Sequence, residues 1–420
     1  MSSRDFDLIL WGATGFAGRL VAEVLAEHPD LPLGRWAIAG RSQAKLDAVR
    51  DHLAGRVDTD RLPETVLADV DDPPSLQRMA ERTRVIATTV GPYARMGSEL
   101  VAACVAAGTD YADLTGETPW IRRMIDAHHD EATARGVRIV HCCGFDSIPS
   151  DLGTLALQQA AITRDGRPFP DVRLAVMKAS GGFSGGTIAS LLGVLDEARS
   201  DRSVRDLLAD PHGLDPADAR GTGRGRDAFR PIADDIIDGW AAPFLMAPIN
   251  TRIVRRSNAL LGHPWGADFR YREVMRFPPG AIGASGAWAY TLAFGAFMKA
   301  LQGKTSRRLI ERTLLPAPGE GPAPDRIENG HFHVRIIGTG PGRTPLHADV
   351  RGGRDPGYGA TATMLAESAL ALHVTRGVAP DPPGDDGLTT RLTGGVLTPA
   401  SALGNVLIDR LARTEVTVRT

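Results

Sequence analysis

Hydrophobic positions in the first 150 residues form short continuous runs, and glycine turns or helical stretches separate these runs. The runs lie at residues 8–11, 35–40, 66–71, 84–93, 110–117 and 137–146. Short apolar runs of this kind are typical of strands buried on both faces, and their alternation with helices is typical of a doubly wound parallel sheet. We therefore predict an α/β fold with such a sheet in an N-terminal domain, residues 1–149.

Beyond residue 150 the alternation of strands and helices stops, which predicts a second domain. Residues 331–338 and 345–351 alternate apolar and polar side chains, so we expect paired antiparallel strands there. Residues 357–372 are rich in small residues and predict a helix suited to close packing. The second domain is therefore expected to be mixed α/β.

The first strand leads into a glycine-rich turn and the start of a helix, the pattern of a dinucleotide-binding Rossmann βα turn. Gly12 permits the tight turn, Gly15 lets the backbone approach a pyrophosphate, and Gly18 lets the helix pack closely on its strand. An ordinary strand–loop–helix corner is the alternative interpretation. The cofactor-binding residues predicted in this turn are Gly12, Ala13, Thr14, Gly15, Phe16 and Gly18.

The second strand ends in Arg41 and Ser42, and Lys45 lies one turn into the next helix. An NAD site usually has a carboxylate at this position, whereas a guanidinium offers a forked, charged donor to a 2′-phosphate. The turn therefore favours NADP as the cofactor. The alternative is that Arg41 is a solvated surface cation.

Two further strand ends are expected at the cofactor crevice. Asp69 lies at a position that usually flanks the adenine of the cofactor. An equal alternative is that Asp69 caps the helix that begins near Pro73. Gly91 and Pro92 end the fourth predicted strand, at the edge that faces the crevice.

Hydroxyl and carboxyl groups gather at the same predicted edge. They belong to Tyr93, Tyr111, Asp113, Thr115, Glu117, Asp146 and Ser147. Such groups can carry proton chemistry, but a turn or capping role is the better expectation for each residue taken alone. His141 is expected to be a core histidine.

Charge and cysteine content exclude several classes of protein. The net charge is −2, with 48 basic and 50 acidic residues among 420, so no long-range attraction to nucleic acid is expected. The three cysteines show neither metal spacing nor a disulfide framework, so we expect no metal site. The N-terminus runs into the first strand without an apolar leader, so we expect a cytoplasmic protein.

Two features of the second domain suggest binding surfaces. A glycine turn at residues 184–187 opens a helix and is predicted to lie near the substrate, facing the nicotinamide. No charged residue occurs between Arg276 and Lys299, which predicts a buried or interfacial helix. That helix could line an apolar channel, pack in a homodimer interface or rest on a lipid surface.

Several motifs together resemble the saccharopine dehydrogenase-like oxidoreductases, and more narrowly the branch that includes the trans-acting enoyl reductases of polyketide lipid assembly. The motifs lie at residues 12–18, 39–42, 90–93, 110–117, 144–151, 184–187 and 394–399. The resemblance implies a Rossmann domain, a second domain at residues 150–352, and a C-terminal segment at residues 353–420 that returns to the first domain. The resemblance does not identify the catalytic residues.

Three functions remain open at this point. The first is NADPH-dependent reduction of an enoyl thioester, with an acyl or other lipid-like substrate on an acyl carrier protein and peripheral membrane contact left open. The second is an NADP-linked amino-acid dehydrogenase, and the third is a non-catalytic lipid-associated protein. From position alone, Tyr93 is expected to donate a hydrogen bond to the enolate. Ser147 and Thr115 are weaker alternatives for this donor, and Asp146 is expected to be an orienting group.

Overall fold

A computed structural model describes residues 4–181, 185–223, 225, 230–313, 321–379 and 391–420. In the first part of the chain, strands alternate with helices. The strands are β1 (Phe6–Trp11), β2 (Trp36–Gly40), β3 (Glu64–Leu67), β4 (Thr83–Thr88), β5 (Asp110–Asp113) and β6 (Arg138–Val140). The helices are α1 (Phe16–Glu27), α2 (Gln43–Ala54), α3 (Pro73–Glu81), α4 (Tyr93–Met96), α5 (Ser98–Ala107) and α6 (Thr118–Arg135).

These strands form a parallel sheet covered on both faces. Every residue of β1 is buried, and successive side chains point to opposite faces. Leu8 and Leu10 accordingly join one hydrophobic cluster, while Ile9 and Trp11 join another. The predicted fold class is confirmed. Several strands end earlier than their hydrophobic runs, because the last residues of each run leave the sheet as loops at its carboxyl edge.

The second part of the chain builds a mixed sheet. Its strands are β7 (Asp171–Ser180), β8 (Ile232–Asp234), β9 (Gly239–Ala242), β10 (Arg270–Phe277), β11 (His331–Thr339) and β12 (Leu346–Gly352). Its helices are α7 (Ile148–Asp165), α8 (Gly185–Ser200), α9 (Arg202–Ala209), α10 (Ala247–Leu260), α11 (Gly280–Gln302), α12 (Lys304–Thr313) and α13 (Pro324–Glu328). The expected antiparallel pairing of β11 with β12 is confirmed, and β7 and β10 pair in parallel.

The C-terminal segment contributes to both sheets. It contains α14 (Gly359–Val374), β13 (Gly395–Leu397), α15 (Pro399–Ala402), α16 (Gly404–Leu411) and β14 (Val416–Arg419). The first sheet has the order β13-β6-β5-β4-β1-β2-β3, and the second has the order β14-β12-β11-β7-β10-β9-β8. Helix α14 is buried along most of its length and packs between α1 and the first sheet.

Helix α11 was expected to be either buried in the core or interfacial, and it is not buried. It packs on β9 and β10, but only Gly283, Ala287 and Leu301 are buried among its residues. Within the described ranges it is the one helix whose length and mean hydropathy of 1.2 would suffice to cross a membrane. The core-packing interpretation of this stretch is therefore wrong, because most of the helix faces solvent.

Candidate functional site

The turn between β1 and α1 has the backbone geometry that a dinucleotide phosphate requires. Gly12 has a φ of +94°, and a Cβ there would lie 2.7 Å from a Val90 methyl carbon. A Cβ on Gly18 would lie 2.1 Å from the Gly12 carbonyl oxygen, so the first turn of α1 can pack this closely only with glycine. Gly15 begins the helix with no side-chain cap from any described residue. The first amide groups of α1 can therefore bind a phosphate.

Two cations lie at the end of β2, where the adenosine ribose of a dinucleotide binds in this fold. Arg41 follows the last residue of the strand and is exposed, and Lys45 is exposed on α2. Ser42 is the N-cap residue of α2. Exposed cations beside a glycine cradle fit the 2′-phosphate of NADP. The residues present therefore fit the cofactor that the sequence predicts.

Two neighbouring turns complete the edge of the crevice. Asp69 is half-buried after β3, and its carboxylate accepts the Asp71 N–H at 3.2 Å. The N-cap of α3 is Asp72, so Asp69 does not cap that helix. After β4, the Thr89 N–H donates to the Trp11 carbonyl at 3.1 Å. The exposed Gly91 and half-buried Pro92 that follow are held beside the phosphate turn, and their cofactor contacts remain a prediction.

Tyr93 does not present its hydroxyl to the crevice. The residue is only 5% exposed, and its hydroxyl donates to the Thr88 carbonyl and accepts the Leu114 N–H, both at 3.2 Å. Its ring packs against Trp120 with centroids 5.5 Å apart. Burial raises its pKa well above 10. This geometry gives Tyr93 a packing role and speaks against the expected role as hydrogen-bond donor to an enolate.

The buried carboxylates of β5 and its following loop bind the backbone. Glu117 accepts the N–H groups of Tyr93 and Ala94, each at 2.8 Å, and thereby caps α4. Asp113 accepts from the Tyr111 hydroxyl at 2.9 Å and contacts His141 Nδ1 at 2.7 Å. Asp113 also accepts the Thr115 N–H at 3.0 Å within the turn after β5. The expected turn or capping role is therefore confirmed for both acids. His141 is buried, as a core histidine should be.

Asp146 differs from these acids because its carboxylate has no bonded partner among the described residues. It follows β6 and is partly exposed, and a Cβ on Gly116 would lie 4.0 Å from its Oδ2. The same Cβ position lies 3.9 Å from Met246 Cε, so apolar surface adjoins the acid. Desolvation raises the pKa of Asp146 to about 6. Its carboxyl group can therefore hold a proton near neutral pH.

Ser147 is fully buried and belongs to a network inside the protein. Its hydroxyl donates to Asn250 Oδ1 at 3.1 Å, and Asn250 donates to Glu273 at 2.9 Å. Glu273 also accepts from the Tyr271 hydroxyl at 2.9 Å. These contacts join α7 to α10 and β10. The geometry therefore gives Ser147 a structural role in this buried network, in contrast to the expected contact with substrate.

The start of α8 lies on the cofactor side of the second domain. The Gly185 N–H donates to the Tyr358 hydroxyl at 3.2 Å, and the Tyr358 ring lies edge-on to Phe16 with centroids 5.0 Å apart. The Ser190 hydroxyl donates to Glu117 at 2.7 Å. The expected proximity of residues 185–187 to the Rossmann crevice agrees with these contacts, whereas Ser184 lies outside the described residues.

Tyr358 was missed by reasoning from the sequence. It stands directly before α14 between two glycines, and this Gly-Tyr-Gly pattern at a helix start was the available signal. Its partners Phe16 and Gly185 lie in two distant parts of the chain, and no spacing rule brings them together. The Tyr358 side chain, at the start of α14, thus contacts both α8 and the cofactor turn.

The described residues contain no cluster of three or more His, Cys, Asp or Glu side chains arranged to hold a metal ion. Cys104, Cys142 and Cys143 are free and buried. Burial raises the pKa of the Cys104 thiol, which keeps it protonated and unreactive.

Comparison with known proteins assigns the family. The saccharopine dehydrogenase NADP binding domain matches residues 8–140. A putative trans-acting enoyl reductase of Mycobacterium tuberculosis is 42% identical over 429 residues, covering 99% of this chain and 98% of that protein. The chain belongs to the trans-acting enoyl reductase family. A trans-acting enoyl reductase of Mycobacterium ulcerans is 39% identical over 437 residues, covering 99% of this chain and 98% of that protein.

Among solved structures, the saccharopine dehydrogenase (L-Glu forming) of Saccharomyces cerevisiae has the same fold. It superposes with a TM-score of 0.51 at 12% identity, and the match covers 99% of each chain. This member of the trans-acting enoyl reductase family is therefore an NADP-dependent oxidoreductase on the saccharopine dehydrogenase fold.

Proposed function

We propose that the protein reduces the carbon–carbon double bond of an enoyl thioester with NADPH, and that it does so in trans on an acyl chain held by an acyl carrier protein. The observation that carries the proposal is the end-to-end similarity to trans-acting enoyl reductases. The glycine turn and the exposed Arg41 support NADPH as the reductant.

NADPH, when bound, supplies the hydride for the β-carbon of the substrate. The first turn of α1 would hold the pyrophosphate, and Arg41 with Lys45 would hold the 2′-phosphate. Hydride addition leaves negative charge on the thioester oxygen, and the α-carbon then needs a proton.

We propose that Asp146 donates the proton that the α-carbon needs. Few polar groups at this edge are free to act: the hydroxyls of Tyr93 and Ser147 are buried and bonded, whereas Asp146 is partly exposed and its carboxylate has no bonded partner among the described residues. Because desolvation raises the pKa of Asp146 to about 6, roughly a tenth of its carboxyl groups are protonated one pH unit above that value. A neutral carboxyl group can donate this proton without opposing the negative charge of an enolate. Asp146 therefore changes from the expected orienting group to the candidate acid.

The amino-acid dehydrogenase alternative is less well supported. Such an enzyme must hold substrate carboxylates, which requires cations, and bidentate arginines serve this purpose best. Beside Gly116, however, the unbonded side chain is the carboxylate of Asp146 and not a cation. The apolar side chain of Met246 lies next to it. This surface suits an acyl chain better than a dicarboxylic amino acid.

Cytoplasmic location is part of the proposal. Three buried free thiols fit a reducing compartment. The net charge of −2 gives no support to a nucleic-acid partner.

The decisive experiment follows NADPH oxidation by the purified full chain with a panel of enoyl thioesters, on a carrier protein and as free thioesters. A saturated thioester of equal length and NADH in place of NADPH are the controls. We expect turnover with NADPH and the enoyl substrates, fastest on the carrier protein. Oxidation of saccharopine or another amino acid with NADP, without any enoyl activity, would overturn the proposal.

A further inference from the structure

Helix α11 exposes large apolar side chains on one face. Ile282 is 87% exposed, Leu292 is 68% exposed and Trp288 is 48% exposed. The opposite face is packed, since Ala287 is buried and the Tyr290 ring lies 5.5 Å from the Phe277 ring. The exposed face is thus apolar without being part of a core. We call Ile282, Trp288 and Leu292 the apolar ridge.

The chain around the apolar ridge is positively charged. Residues 274–310 contain no aspartate or glutamate, in a protein whose net charge is −2. The same residues include five cations, which are Arg276, Lys299, Lys304, Arg307 and Arg308. Arg276 pairs with Asp238 at 3.6 Å and Arg307 pairs with Asp196 of α8 at 2.6 Å, while Lys299 and Arg308 are exposed. The positive charge therefore lies at the C-terminal end of the ridge and on α12.

We propose that α11 docks in the plane of an anionic lipid bilayer, with the apolar ridge among the lipid headgroups and Lys299 and Arg308 against their phosphates. Apolar side chains with flanking cations are the combination that anionic lipid surfaces bind. Trp288 is the side-chain type that prefers the bilayer interface.

Two properties of the surface favour a bilayer over other occupants. A second copy of the chain would bring like positive charges together, which disfavours a symmetric contact. A helix that crossed the bilayer would be surrounded by lipid, yet one face of α11 packs on β9 and β10 of its own domain, where the Tyr290 ring contacts Phe277. The packed face thus holds α11 on the surface of its own domain.

Docking through α11 would also bring the candidate site near the lipid. Leu301 of α11 packs with Ile188 and Leu192 of α8, and α8 begins beside Tyr358 at the crevice. The docking proposal stands independently of enoyl reduction, since it requires neither cofactor nor substrate.

The test is sedimentation of the full chain with vesicles of phosphatidylcholine alone or mixed with phosphatidylglycerol. We expect binding to the mixed vesicles only, weakened by salt. The pair Ile282→Ser and Leu292→Ser should lower binding at least about tenfold, because it removes most of the inserted apolar area. Changing Lys299→Gln and Arg308→Gln should lower it about fivefold for each charge.

Val378→Ser is the matched control, since Val378 is 53% exposed outside α11. Wild-type affinity for NADPH in each variant would show that the fold is intact. Absence of binding to mixed vesicles, or equal binding by the Ile282→Ser, Leu292→Ser pair, would overturn the proposal. Two other outcomes would also overturn it. One is a dimer in solution that the Ile282→Ser, Leu292→Ser pair converts to a monomer. The other is carrier-protein binding that this pair abolishes while vesicle binding persists.

Discussion

Glu117 accepts a hydrogen bond from Ser190 at 2.7 Å, and this contact joins the loop after β5 to helix α8 of the second domain. The same carboxylate accepts two backbone N–H groups at the start of α4. Glu117 is 3% exposed, so little water can replace these partners. One buried acid thus fixes the turn that borders the cofactor crevice and the helix that faces it.

Glu117→Ala should destabilise the protein by about 2–4 kcal/mol, because two buried N–H groups and the Ser190 hydroxyl lose a charged acceptor. Ser190→Ala removes one of the three bonds and should cost about 1–2 kcal/mol. Chemical denaturation measures both. Equal stability of the Glu117→Ala variant and the wild type would show that water replaces the carboxylate.

Arg41→Ala should weaken NADPH binding by about 1.5–3 kcal/mol, because a charge-assisted hydrogen bond to the 2′-phosphate is lost. NADH affinity should change little, since NADH lacks that phosphate. Titration calorimetry with both cofactors is the measurement. Arg202→Ala is the control, because the Arg202 side chain is 85% exposed on α9. An equal loss for both cofactors would contradict the NADP assignment.

Tyr93→Phe separates a packing role from a catalytic one. The hydroxyl bonds to the Thr88 carbonyl and the Leu114 N–H, so its removal should cost about 1–2 kcal/mol of stability. We expect kcat to stay within about twofold of the wild type, whereas loss of a hydrogen-bond donor to the enolate would lower it roughly 10²-fold. Steady-state kinetics beside a denaturation curve distinguishes the two roles.

Asp146→Asn should lower kcat by roughly 10²-fold or more, because an amide cannot donate the proton to the α-carbon. In the wild type, kcat should fall as pH rises through about 6, since the protonated form is the active one and desolvation raises the pKa to that value. The variant should lose this dependence while its NADPH affinity is unchanged. A wild-type profile that rises through the same pH would make Asp146 a base and refute the assignment.

The sequence by itself determined the parallel sheet and the cofactor end of the site. Short apolar runs specify strands buried on both faces. Within a single βα turn, Gly12 is required by its positive φ and Gly18 by its approach to the Gly12 carbonyl. These are local constraints, so spacing along the chain reveals them. Arg41 was predicted for the same reason, because it immediately follows a recognisable strand.

Only the tertiary structure decided which polar groups face the crevice. Tyr93 and Asp146 both follow strands, yet the tyrosine turns into the core while the aspartate lies partly exposed without a bonded partner. The exposure of α11 was likewise hidden, since its composition suits a core as well as a surface. Burial and partner choice depend on contacts between residues far apart in the chain, such as Gly185 with Tyr358, and no local pattern encodes them.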